Sequence, residues 1–171
     1  QIAEHHLSDE QKRVMVYLIG SLDSDGFLRK DSQRLSDEMG IYHNINVSPQ
    51  EIDKLVSVMQ TFEPRGIGAR NLQECLKIQI LAEDNKSPYK ELELQVIEKC
   101  YKDFTRKRWD AIARRLHVDT ETMDKVMSEI RPLNPRPGSA LNEMSSGDSQ
   151  EVTPDFLVEN DGNGNLKVSL N

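Results

Sequence analysis

Long hydrophobic runs are missing from this chain. The longest, Val14 to Ile19, falls far short of the ~20 apolar residues that cross a bilayer. The N-terminus, QIAEHHLSDE, lacks a basic start followed by an apolar stretch, so it does not read as a secretory signal. Cysteine is scarce: Cys75 and Cys100 are the only two, and each falls on the apolar face of a helical pattern, where a buried free thiol is expected. A cytoplasmic location fits this usage. No disulfide or metal staple is needed, because a chain of 171 residues can bury roughly 70% of its unfolded surface. Excess positive charge is also absent. The net charge is −7, which disfavours general binding to nucleic-acid phosphates but leaves room for a local basic patch. No repeat of solenoid period occurs.

What is present is helical periodicity. Ser8 and Gln11 form a capping-box pattern, followed by Val14, Met15, Leu18, Ile19 and Leu22 at helical spacing. The turn cluster Asp23-Ser-Asp-Gly26 stops this helix. A short helix is expected from Asp31 to Met39, ended by Gly40. Ser48 as cap and Pro49 at the first helical position start the next, with Ile52, Leu55, Val56 and Met59 as its stripe. The loop Phe62 to Arg70 (FEPRGIGAR) ends it. A helix from about Asn71 to Glu83 carries Leu72, Cys75, Leu76, Ile78, Ile80 and Leu81 on several sides, which predicts a central position.

Asp84 to Pro88 is a polar break. Beyond it, Leu94, Ile97, Tyr101 and Phe104 mark one helix. Trp109, Ile112, Ala113 and Leu116 mark another, and Met123, Val126, Met127 and Ile130 a third. The link His117-Val-Asp119 gives the last two the look of a helix-turn-helix corner. Pro132, Pro135 and Pro137 predict an extended segment up to Gly138. Residues 139–151 are polar and are expected to be mobile. The tail alternates Phe156 and Val158, a turn at Asn160 to Gly164, then Leu166, Val168 and Leu170, which is a hairpin signal. The chain stops within that pattern, so a fragment of a longer protein is expected. The predicted fold is mainly α: a first helical subdomain over 8–84, a second over 88–131, an extended or mobile linker over 132–151, and a hairpin segment over 152–171.

Enzyme and metal signatures are weak. Aligning Asp23-x-Asp25-Gly26 with a calcium loop puts Ser21 and Ser32 at the first and twelfth ligand positions, where acids are needed, so a structural turn is expected. Arg65-Gly-Ile-Gly68 could cradle a phosphate, but it follows a helix pattern and lacks a Gly-Lys-Ser/Thr ending. A glycine-dependent turn presenting Arg65 and Arg70 to a partner is the competing reading. His5, His6, His43 and His117 have no ligands at metal spacing. No nucleophile elbow or paired carboxylates occur. No catalytic residue, metal or cofactor is expected, and the chain reads as not an enzyme.

The helix-turn-helix candidate spans Arg108 to Ile130. The outward positions of its second helix are Thr120, Glu121, Thr122, Asp124, Lys125, Ser128 and Glu129, three acids against one base. A DNA major groove repels such a face, so architecture or protein contact is expected. Just before it lies a basic cluster, Lys102, Arg106, Lys107, Arg108, Arg114 and Arg115, offset by Asp103 and Asp110. It is either a solvated face or a patch for nucleic acid or an acidic protein surface. Trp109 fits the helical stripe and is assigned to the core.

Several segments together resemble one family. Leu18-Ile-Gly-Ser-Leu-Asp-Ser-Asp-Gly-Phe-Leu28 is similar to a helix-ending stretch of bacterial sigma-N (sigma-54 class, enhancer-dependent) factors. Phe62-Glu-Pro-Arg-Gly-Ile-Gly-Ala-Arg-Asn-Leu-Gln-Glu-Cys-Leu76 resembles the family's long and specific "P-x-G-V-G-A-R-x-L-x-E-C-L" block. Asn134-Pro-Arg-Pro-Gly138 resembles its "N-P-x-P-G" turn, and Val152-Thr-Pro-Asp155 with the hairpin resembles the segment beyond. The resemblance implies a core-binding domain: a pair of helical subdomains that holds the sigma factor on core RNA polymerase. It implies that promoter DNA is read mainly through regions absent here, and that an activator ATPase acts only through the full-length protein. No membrane partner is implied.

The expected polymerase-binding residues are Arg65, Gly66, Gly68, Arg70 and Glu74. The basic patch of Arg106, Lys107, Arg108, Arg114 and Arg115 is expected to face polymerase or DNA backbone. The alternatives are a sequence-specific helix-turn-helix regulator and a nucleotide-binding enzyme using the Gly66–Gly68 loop. His43 to Val47 and residues 139–151 match no pattern of the family.

Overall fold

A computed structural model of the chain describes residues 1–84, 86–146, 156–160 and 166–170. It divides into two units, Gln1–Leu141 and Asn142–Asn171. Among the described residues the fold is mainly helical, as the periodicity predicts.

In the first unit, α1 (Asp9–Gly20), α2 (Ser32–His43) and α3 (Pro49–Met59) enclose one core. Each start is chemically marked. Ser8 accepts the Gln11 amide at 3.2 Å, and the Gln11 side chain takes the Ser8 N–H at 2.9 Å, so the capping box is closed. Asp31 caps α2 through the Arg34 amide. Ser48 caps α3, with Pro49 in its first turn. Val14, Met15 and Leu18 of α1 meet Leu35 and Met39 of α2 and the full α3 stripe, Ile52, Leu55, Val56 and Met59. Gly40 does not end α2. The helix runs on to His43, and Asn44 closes it in the left-handed region (φ 53°), with the Asn44 and Ile45 amides both reaching the Met39 carbonyl. Asn tolerates that conformation, and it lets Ile45 turn back into the core.

α4 (Leu72–Ala82), α5 (Lys90–Lys99), α6 (Tyr101–Thr105), α7 (Trp109–Leu116) and α8 (Thr120–Ile130) build a second core. It contains Leu76 and Ile80 of α4, Val96 and Ile97 of α5, Ile112 of α7, and Met123, Val126, Met127 and Ile130 of α8. The single helix expected through Tyr101 and Phe104 is two, because the backbone leaves the helical region at Cys100 (φ −116°, ψ 21°). Leu81 is 53% exposed, so α4 is not apolar-packed all round. The α7–α8 corner forms at His117 (φ 55°), and Asp119 caps α8 by accepting the Thr122 amide at 2.7 Å. Both cysteines are buried and free.

A further expectation is overturned over residues 137–146, where the chain is not extended to Gly138 and then without structure: α9 occupies Pro137–Ser146. Three prolines suggest an extended chain, but the last sits at a first helical position. There its fixed φ favours the helix and its missing N–H costs nothing.

In the second unit, strand segments Phe156–Asn160 (β1) and Leu166–Leu170 (β2) pair antiparallel, Phe156 opposite Leu170 and Asn160 opposite Leu166. Residues 147–155 and most of the expected turn, 161–165, lie outside the described residues.

Candidate protein-interaction site

The FEPRGIGAR loop is fastened inward. Gly66 (φ +95°) and Gly68 (φ +77°) need backbone conformations that side chains rarely adopt. A Cβ at Gly66 would lie 2.6 Å from the Cys75 Sγ, and one at Gly68 2.7 Å from the Met59 Cε. From Ile67 to Arg70 the loop amides are already used. Ile67 donates to Pro64 O at 3.2 Å, Gly68 to Gly26 O at 2.9 Å, Ala69 to Gly66 O at 3.3 Å and Arg70 to Glu74 Oε2 at 2.9 Å. A phosphate cradle needs such amides free, so the nucleotide-binding alternative loses its site.

The loop meets two other motifs at Gly26 (φ +87°). Asp23 Oδ1 accepts the amides of Asp25 and Phe27, each at 2.9 Å, and Oδ2 accepts from Arg29 Nε at 3.0 Å. Burial works against the charge of Asp23, but these donors outweigh it and hold the carboxyl below its usual range. On the other side of Gly26, the Gly138 amide donates to Asp25 O at 2.9 Å, and a Cβ on Gly26 would lie 2.7 Å from Gly138 N. Gln79 ties the same turn to α4: its Nε2 donates to Asn134 O at 2.6 Å, and its Oε1 accepts the Asn134 amide at 2.8 Å. Burial pushes the neighbouring Cys75 thiol up.

Arg65 and Arg70 take different partners. Arg65 is exposed and pairs with Glu63 at 3.0 Å. Arg70 turns to the start of α2, donating to Lys30 O and, at 3.1 Å, to Ser32 Oγ, with Asp53 of α3 at 3.7 Å. Glu74 is equally occupied, accepting Gln60 Nε2 at 2.9 Å as well as the Arg70 amide.

The basic segment has the opposite character. Arg106, Lys107, Arg108, Arg114 and Arg115 are all exposed, and among the described residues none of them forms an ion pair. Arg106 ends α6, Lys107 (φ 57°) turns the chain, and Arg108 precedes α7. Lys107, Arg108 and Arg114 line one notch of about 350 Å³ with Trp109, Asp110 and Ala111. Arg115 is not among the residues lining that notch, and its charge acts on Cys100. On α8, Thr120, Glu121, Asp124, Lys125 and Ser128 are exposed, and Lys125 pairs with Glu121 at 3.2 Å. That acidic face gives no DNA-reading surface.

Two buried polar residues escape a reading of the sequence. Gln79 sits in the apolar stripe between Cys75 and Ile80, and a polar residue in that position is a legible signal. Glu93 on α5 is only 2% exposed, with Oε1 unpartnered among the described residues. Burial first, then its hydrogen bond with Glu129 and the nearby charges of Glu129 and Glu83, push its carboxyl up to about 8, with Lys90 opposing. Glu129, fixed by Ser87 Oγ at 2.6 Å, keeps the charge. Among the described residues no cluster of His, Cys, Asp or Glu is arranged to hold a metal, and no helix is long and apolar enough to cross a membrane.

Comparison with known proteins converges with this geometry. The family model "Sigma-54 factor, core binding domain" matches residues 1–171. An RNA polymerase sigma-54 factor of Bacillus subtilis is 28% identical over 171 residues, covering 100% of this chain and 36% of that protein. Those of Caulobacter vibrioides and Azorhizobium caulinodans are 32% and 31% identical over 100% and 95% of this chain, and 32% and 29% of their own lengths. The chain thus spans about a third of the relatives it matches. The match runs over the whole chain, and the chain belongs to the sigma-54 factor core-binding domain family.

Proposed function

We propose that this chain binds core RNA polymerase as a non-catalytic docking module, and so works in the cytoplasm. One observation carries the choice of surface. The chain has a net charge of −7, yet Arg106, Lys107, Arg108 and Arg114 form an exposed run without ion pairs among the described residues. Cations left unpaired on an acidic protein suit an acidic partner surface and speed its encounter. Gly66, Gly68, Arg70 and Glu74 contribute by holding the two helical cores in register, and Arg65 is the exposed guanidinium of their loop. Subdomains 8–84 and 88–131 act together in this reading, with 152–171 as a hairpin attachment. Promoter reading and the response to an activator ATPase belong to other parts of the full-length protein.

Size-exclusion co-elution with purified bacterial core polymerase tests this, with a promoter-like duplex run in parallel. Co-elution with polymerase and weak duplex binding is expected. Selective duplex binding without polymerase association refutes it.

A further inference from the structure

The cationic notch does not stand alone. Lys107 and Trp109 also line a larger groove of about 600 Å³. Its apolar walls include Leu72 and Leu76 of α4, Phe104 of α6, and Met127 and Ile130 of α8, closed by Leu133. Arg131 lines it as well, exposed and, among the described residues, without an ion pair. Trp109 packs against Phe104, ring centroids 5.9 Å apart, yet stays half-exposed where groove and notch join. The assignment of Trp109 to the core is therefore half right: one side packs inward and the other forms wall.

We infer that this groove receives an apolar segment with acidic flanks, its apolar side chains in the groove and its carboxylates at Lys107, Arg108 and Arg131. The inference rests on the polymerase-binding reading above and names the chemistry of the polymerase segment that docks. The argument is complementarity. An apolar groove of this volume has room for more than one aliphatic side chain, and burial there supplies affinity without orientation. The cations Lys107 and Arg131 lining it favour acidic flanks and reject a basic segment. Asp110 is the one acid lining the notch, against Lys107, Arg108 and Arg114. A second copy of the chain fits poorly through its exposed Val16, because Lys12 and Arg13 line the same hollow and would meet cations.

The test uses the 171-residue chain and purified core polymerase. Three variants are compared with wild type: Leu133→Glu in the groove, the double reversal Lys107→Glu with Arg131→Glu at its rim, and Lys54→Glu, an exposed cation of α3, as control. Circular dichroism and urea midpoints establish that each is folded. The rim variant is wholly on the surface, so the test survives if Leu133→Glu fails to fold. Both site variants should weaken polymerase binding by about tenfold or more, and Lys54→Glu should not. Fluorotryptophan at Trp109, the chain's only tryptophan, should shift its fluorine resonance on adding polymerase. Wild type bound and both site variants bound equally well would overturn the groove and leave the docking function standing. No binding by wild type would remove both. Loss in the rim variant with a folded Leu133→Glu unchanged would reduce the contact to charge and overturn the apolar anchor. Self-association that Leu133→Glu abolishes would hand the groove to a second copy.

Discussion

Gln79 holds the backbone of Asn134 at both its N–H and its C=O, across a sequence gap that no local pattern bridges. The two bonds, 2.8 and 2.6 Å, fasten the turn after α8 to the last turn of α4. Replacing Gln79 by Leu keeps the volume but leaves both backbone groups without this partner. We expect a loss of about 2 kcal/mol in urea unfolding: the orphaned Asn134 amide costs ~1–3 kcal/mol, and the carbonyl keeps only the weak Cys75 thiol donor at 3.7 Å. An unchanged midpoint would show that the clamp contributes nothing.

Glycines separate into two kinds. Gly26→Ala forces a side chain into a left-handed backbone against the Gly138 amide, and should cost ~3 kcal/mol or more. Gly20 ends α1 with no atom within 4 Å of an added Cβ. Gly20→Ala should raise stability by up to ~1 kcal/mol, because alanine is the better helix former. Thermal melts of the two variants moving in the same direction would contradict this division.

Arg65 and Arg70 should differ in stability measurements. Arg65→Ala removes an exposed pair worth ~0–1 kcal/mol. Arg70→Ala removes donors that hold the start of α2, and should cost ~1–2 kcal/mol. Charge reversal at Arg70 therefore tests polymerase binding only if the variant's fold is measured alongside. Equal melting of the two alanine variants would remove the structural role of Arg70.

Glu93 predicts a pH dependence between about pH 4.5 and pH 8. Its folded carboxyl titrates near 8 against a reference of 4.5, so the folded state holds a proton that the unfolded state has released. Its contribution is complete below about 4.5 and is lost as pH rises through 8. Urea midpoints should fall from pH 5.5 to pH 8, and Glu93→Gln should flatten that slope. The same slope in the variant would point to another group.

Glu38 acts at the acid end. Lys30, Tyr17 and Arg34 hold its carboxyl down to about 2, from 4.5. A depressed carboxylate contributes stability above its unfolded value, and that contribution disappears as pH falls toward 2. Glu38→Gln should lose stability relative to wild type at pH 6, with the gap closing as pH falls from 4.5 to 2. A gap that stays constant would exclude titration as its cause.

Most helices were legible because their signals are local. Ser8 with Gln11, and Ser48 with Pro49, mark starts within one turn of chain, and the α3 stripe is complete in its own letters. What stayed hidden depends on distant partners. Gly40 reads as a stop only while Asn44 is unknown as the true cap. Pro137 reads as extended by its company and as a helix start by its place. Glu93 looks solvated until Glu129, on another helix, lies beside it. The candidate site divides likewise. The basic run Arg106 to Arg115 was visible as a string of letters. The apolar groove beside it needed α4, α6, α8 and Leu133 brought together in space. The family block was recognisable as letters, yet its arginines and glycines suggested a loop presenting Arg65 and Arg70, whereas Gly68 bonds to Gly26, Arg70 turns to Lys30 and Ser32, and Arg65 is the exposed one of the two.

The two buried thiols give the molecule a pair of internal clocks. Cys75 lies under Gly66 beside the Asn134 turn, and Cys100 lies in the second core. A thiol reagent can reach either only when its surroundings part, so the two labelling rates time two separate openings. If polymerase clamps the groove formed by α4, α6 and α8, both rates should slow in the complex. The ratio of the two would then show whether the junction around Gly26 breathes independently of the core it joins.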